Sequence, residues 1–127
     1  MKSVKVAIFS ALKASVALNS IVGVDTSGIK QIFSAYPAST AVYPCVGFYR
    51  IVGLIEPADG KLSSGNINEL YSVDCMAKTM TLTEDMELVI NEAMDTLDWI
   101  VTAENGPDLY DETTRIFHKV LRYRIKS

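Results

Sequence analysis

The sequence holds one histidine, His118, and two cysteines, Cys45 and Cys75. The cysteines form no CxxC pair and have no histidine near them in the chain, which excludes the usual zinc spacings and a disulfide scaffold; reduced thiols in a cytosolic setting are the expectation. No GxSxG, HExxH, P-loop or GxGxxG occurs, so the short motifs that announce hydrolysis or nucleotide binding are missing. No run approaches the roughly 18 apolar residues that span a bilayer, and Lys13 interrupts the N-terminal apolar stretch that would otherwise resemble a signal-peptide core. A soluble protein is expected. Charge is also missing by sign: Glu84 to Glu112 hold ten acidic residues and no Lys or Arg, whereas Arg115 to Lys126 hold five basic residues and no acid.

What is present is ordinary in bulk. The 127 residues are 49% hydrophobic and 21% charged, which fits globular usage and excludes a disordered or fibrous chain. One domain over residues 1–127 is expected, burying roughly two-thirds of its unfolded surface. The net charge of −3 argues against a general polyanion binder.

Val4, Ile8, Ala11, Leu12, Ser15 and Val16 recur at helical steps and predict a core-facing helix from about Ser3 to Leu18. Asn19 to Gly28 carries turn chemistry, with Ile21 and Val22 tucked under the helix end, and Ile29 to Phe33 reads as a short strand. Pro37 and Pro44 bracket a loop or sheet edge, because neither can donate to a ladder. Cys45 to Ile55 is almost continuously apolar and β-rich, a strand covered on both faces or paired with a partner. Glu56 to Asn68 reads as a long flexible arm, and Glu69 to Lys78 as the return strand, buried on one face and mostly polar on the other. Thr81 and Glu84 have capping-box spacing, with Asp85 and Glu87 near the positive helix end; Leu82, Met86, Val89, Ile90, Ala93, Met94 and Leu97 follow as the main core stripe. Trp99, Ile100 and Val101 extend that helix or begin a short strand, and Asn105-Gly106-Pro107 is expected to end regular structure. A final strand runs from Arg115 to about Ile125, with Phe117, Leu121, Tyr123 and Ile125 on one face. The fold expected is α+β: a mostly antiparallel sheet of about four strands packed by two helices, in the order α-β-β-β-α-β.

The candidate functional residues are charged. His118 sits mid-strand with no nucleophile or carboxylate fixed beside it in sequence, so a solvent-facing or subunit-boundary position is favoured over catalysis. Asp108, Asp111 and Glu112 fail the EF-hand spacing and read as a solvated acidic turn rather than a cation site. Arg115, Lys119, Arg122, Arg124 and Lys126 are either a solvated strand face or an electrostatic docking surface; Arg122 and Arg124 fall on the face opposite Tyr123, which opposes base stacking. Glu84, Glu87, Asp95 and Asp98 have no lysine at i+4, so they repel within their helix and suggest partners elsewhere. An acidic helix and a basic strand on one molecule suit head-to-tail contact; the same acids would also line a channel through which DNA slides without sticking. The interface candidates are therefore Glu84, Glu87, Asp95, Asp108 and Asp111 on the acidic side and Arg115, His118, Arg122 and Arg124 on the basic side.

The segment DLYDETTRIFHKVLRYRI, Asp108 to Ile125, preceded by an amphipathic helix, resembles the closing motif of the tail terminator, or tail-completion, proteins of long-tailed bacteriophages. Those proteins run an acidic D-x-Y-D turn into an aromatic-His-basic strand, matched by Asp108, Tyr110 and Asp111 and then by Phe117, His118 and Lys119. SALKASVALNSIVG, QIFSAYP and YPCVGFYRI resemble the family's leading helix, aromatic-Pro segment and Tyr-Pro strand entry. Where a glycine often follows Glu-Thr in the turn, this chain has Thr114-Arg115. The resemblance implies a virion structural protein at the head–tail junction, assembled in the host cytoplasm. It implies a hexameric homo-oligomeric ring on the head-proximal end of the tail tube that stops tube polymerisation and meets the head connector. DNA would pass through without specific binding. It implies no catalysis, cofactor, metal or membrane, and it makes Glu56, Asp59 and Lys61 in the arm candidates for contact with tube or connector. A neighbouring neck or head-completion connector, a small enzyme using His118, and a nucleic-acid binder remain the alternatives.

Overall fold

Helix starts in this chain fall where a hydroxyl can accept a free backbone N–H. The computed structural model describes residues 3–35, 37, 41–57 and 65–126. Ser3 caps α1 (Val4–Ala14) by accepting from the Val6 N–H. Ser15, in extended conformation, ends α1 and caps α2 (Val16–Ile21), accepting from the Leu18 N–H at 3.2 Å. The Asn19 side-chain amide donates to the Lys13 and Ser15 carbonyls across the break. The single helix expected over Ser3 to Leu18 is thus two. The bend carries Leu18 and Val22 into the core beside Ile8 and Leu12.

The strands are β1 (Ile32–Phe33), β2 (Cys45–Pro57), β3 (Gly65–Ala77), β4 (Ile100–Asp111) and β5 (Ile116–Lys126), with α3 (Met80–Met94) between β3 and β4. They form one sheet in the order β1-β2-β3-β5-β4, parallel between β1 and β2 and antiparallel elsewhere. The architecture is α+β as expected. Among the described residues, however, it has five strands and three helices, not four and two. The additional strand is β4: Asn105-Gly106-Pro107 does not end regular structure, because a bulge between Asn105 and Asp108 absorbs the proline and pairing with β5 resumes. A Cβ on Gly106 would meet the Val120 carbonyl oxygen at 2.6 Å, so the bulge brings backbone against β5.

Two further expectations are corrected. The stretch from Glu56 to Asn68 is not all arm: Leu54 pairs with Asn68, Ile55 with Ile67, Glu56 with Asn66 and Pro57 with Gly65, leaving 58–64 outside the described residues. The capping box at Thr81 and Glu84 is not formed. Thr79 caps α3 instead, accepting from the Leu82 N–H, and starting the helix there turns Thr83, Met86, Ile90 and Met94 toward the sheet.

Helices cover one face of the sheet. α3 lies over β3 and β5, α1 and α2 pack against α3, and the Phe9 ring meets Phe48 of β2 at 6.0 Å between centroids. Val46, Phe48, Tyr71, Val73, Leu121, Tyr123 and Ile125 point into this core. Burying an aliphatic side chain such as Ile90 or Leu12 contributes about 1.5–3 kcal/mol before entropy. β3 is buried on both faces, correcting the half-polar strand expected: Ser72, Asp74 and Met76 are as buried as Val73. Part of the cover on the second face is the segment at Ala35 and Pro37, which crosses so close to β2 that a Cβ on Gly47 would collide with the Ala35 carbonyl oxygen and the Pro37 ring. Gly47→Ala is therefore expected to lower stability by about 1–3 kcal/mol through overpacking, read as a lower urea midpoint with unchanged slope.

Candidate assembly interface

β5 carries most of the sequence-selected residues, and its position between β3 and β4 decides what each can do. Strand alternation gives it two faces. Phe117, Lys119, Leu121, Tyr123 and Ile125 share the helix-covered face, being opposite Ala77, Cys75, Val73, Tyr71 and Glu69 of β3. His118, Val120, Arg122 and Arg124 point to the other, open face, opposite Met76, Asp74, Ser72 and Leu70. The expected separation of Arg122 and Arg124 from Tyr123 is present.

Much of the charge split closes within the chain. Lys119 Nζ stands 3.0 Å from Asp108 of β4 and 3.5 Å from Glu87 of α3, so three separate elements meet at one ammonium. The Asp108 hydrogen bond, with the Glu87 charge beside it, holds the Lys119 pKa above its ordinary value, although partial desolvation acts in the other direction. A small polar cavity of about 170 Å³ adjoins this cluster at the β4 bulge, lined by Glu87, Gly106, Asp108 and Lys119 among others. On the open face, Arg124 donates to Glu104 at 3.0 Å and to the Asn68 side chain at 2.9 Å. Partly exposed pairs of this kind contribute roughly 0–1 kcal/mol each; their larger effect is to remove Lys119, Arg124, Glu87 and Asp108 from the set of free charges.

His118 is not solvent-facing: its side chain is 17% exposed and its Nε2 lies 3.3 Å from Asp74 Oδ2. Asp74, buried in β3, accepts from the Ser72 hydroxyl at 2.7 Å and from the Tyr49 hydroxyl at 3.3 Å. Proximity in sequence could not reveal this cluster, since its members come from β2, β3 and β5. It is not a Ser–His–Asp relay. Ser72 bonds to the carboxylate rather than to His118 and is 1% exposed, so no nucleophile is offered to a substrate. Asp108 and Asp111 point to opposite faces of β4, and no group of His, Cys, Asp and Glu fit to hold a metal occurs among the described residues.

The remaining interface candidates lie apart from these clusters. Glu84 and Asp95 are exposed on α3, and Arg122 is exposed on the open face. Asp111 opens the β4–β5 turn, its Oδ1 accepting from the Thr113 and Thr114 N–H groups, and its carbonyl accepts from the Arg115 N–H at 2.7 Å. Arg115 has φ 59, the left-handed conformation that glycine favours. Asp59 and Lys61 lie outside the described residues; Glu56 lies in β2, its side chain undescribed. The sequence reading missed Glu104 and Asn68, which reach Arg124 diagonally from positions opposite Arg122 and Lys126.

No family model and no curated protein sequence matches the chain. A chain in the solved structure of the virion of a native gene transfer agent (GTA) particle shares its fold, with a TM-score of 0.60 at 12% sequence identity over 98% of this chain and 96% of that one.

Three outcomes follow for this region. Arg115→Gly removes the left-handed strain without touching the Asp111 acceptor and is expected to raise stability by about 1 kcal/mol, seen as a higher thermal midpoint. Both thiols are shielded: burial pushes Cys75 up, and pushes Cys45 from 9.0 to about 12, so neither is a thiolate at pH 8. A thiol reagent at that pH should label neither until denaturant is added. Tyr71 moves the same way, from 10.0 to about 12, through burial and the neighbouring Glu69. For each group the folded state favours the protonated form, so this stabilisation is complete below about pH 9 and is lost as pH rises through 9–12. Urea midpoints falling over that range check it.

Proposed function

We propose that this chain is a virion structural protein of the tail-terminator kind: a ring, hexameric in its working state, that sits on the head-proximal end of a phage tail tube, stops its growth and presents the surface that joins the head. The observation that carries the reading is the end-to-end fold correspondence with a chain of a virion particle, which leaves no substantial part of either chain unmatched. The β4–β5 turn supports it from a second direction. In the turn where the family often has a glycine after Glu-Thr and this chain has Thr114-Arg115, Arg115 adopts the left-handed conformation that glycine favours.

The partners of this reading are further copies of the chain, the tail tube protein and a head connector or completion protein, with DNA passing through and no membrane. The geometry favours structure over chemistry. The buried Ser72–Asp74–His118 cluster offers no accessible nucleophile, and Lys119 and Arg124 are held by carboxylates rather than free for phosphates. A neck connector has the same general needs and differs in which protein it binds.

Mixing the purified chain with tail tubes and imaging by negative stain should give one capped end per tube, and light scattering should give a defined oligomer alone or on tubes. A chain that stays monomeric with tubes present and leaves both ends bare counts against the terminator role. Binding to portal-side protein but not to tube moves the assignment to the connector.

A further inference from the structure

The self-association in that reading has a physical site in the fold. We infer that the outward face of α3 in one copy docks on the open sheet face of the next copy, head to tail. The inference rests on the ring reading for its setting, and on two unpartnered faces for its content.

α3 turns Thr83, Met86, Ile90 and Met94 inward, which leaves Glu84, Leu88, Glu92 and Asp95 aligned on the opposite side at three- and four-residue steps. Leu88 is 64% exposed in the middle of these carboxylates, and α3 has no Lys or Arg. Glu87, which pairs with Lys119, lies outside this stripe. On the open sheet face Arg124 and Glu104 neutralise one another and Asp74 is buried. Away from the acidic turn this leaves a net positive patch of Arg122 and Lys126, with Glu104 opposite Arg122 but bonded to Arg124. Lys126 is opposite Ile100, which is 65% exposed. The helix side thus sets exposed Leu88 among negative charges, and the Lys126 end of the sheet face sets exposed Ile100 among charges that are net positive, Arg122, Arg124 and Lys126 against Glu104. Charge of this kind sets partner choice and register, while the aliphatic groups supply burial.

The two faces lie on opposite sides of a two-layer molecule. A two-fold dimer through either would set like charge on like, whereas a head-to-tail repeat sets acid on base at every contact and closes into a ring when the rotation allows.

Charge reversal tests this on the whole chain. Sedimentation velocity at low ionic strength should show an oligomer that weakens with salt. Arg122→Glu, and separately the double variant Glu84→Lys with Glu92→Lys, should each weaken self-association by about tenfold or more, circular dichroism confirming unchanged folding. An equimolar mixture of the two variants should recover the oligomer, because each supplies the charge the other has lost. A variant that assembles like the parent, a folded pair whose mixture stays dissociated, or a parent that stays monomeric at low salt and millimolar concentration overturns the contact. Capping of tail tubes is scored separately. Recovery by the mixture without capping retains the contact and removes the tail role; capping without recovery does the reverse.

Discussion

Everything in this fold depends on β5 pairing on both sides at once, with β3 through ten residue positions and with β4 through a bulged ladder. That double pairing puts Tyr123 under α3, where its hydroxyl donates to the Asn91 side chain. It puts Lys119 between Glu87 and Asp108, and His118 against Asp74. It also makes β3 an interior strand, so its second face must be accommodated, which is why Ser72 and Asp74 are buried and bonded to each other. A buried carboxylate without partners would be costly, and here a serine, a tyrosine and a histidine surround it.

The same pairing changes how the charge boundary of the sequence is understood. In linear order, ten acids precede five bases and suggest one molecule meeting another. In the fold, the β4–β5 ladder sets Asp108 opposite Lys119 and Glu104 opposite Arg122, from where Glu104 reaches Arg124 diagonally, and α3 adds Glu87 from above. Part of the asymmetry is therefore internal bonding. The part that remains external is smaller and better defined: an acidic helix side around Leu88 and a basic sheet patch around Arg122.

Periodic apolar spacing was legible wherever it decided burial. The stripe of α3, the long β2 and the aromatic face of β5 were readable because each repeats over many residues. Local signals that compete were not. Thr79 and Thr81 both offer a cap, and only the need to turn Thr83 and Met86 inward chooses Thr79. Ser15 fits a helical stripe as well as a cap, and the burial of Leu18 selects the cap. Gly106-Pro107 normally ends a strand, but a partner on one side of β4 suffices to carry it through as a bulge. The Asp74 cluster was beyond reach for a different reason, since pairing across three strands has no one-dimensional signature.

The position of β4 carries a consequence for how the protein comes to be made. Among the described residues it pairs only with β5, and the intervening turn is short, so β4 and β5 can zip as a local hairpin; but β3 must wait for that hairpin across the whole of α3. Until then the β2–β3 hairpin presents one bare edge, and β4–β5 presents another. Non-local closure of this sort is slow and exposes strand edges to neighbouring nascent chains. The kink at Gly106-Pro107, which withholds one backbone donor and bends the outer edge, makes β4 a poor template for unwanted pairing both before that closure and after it.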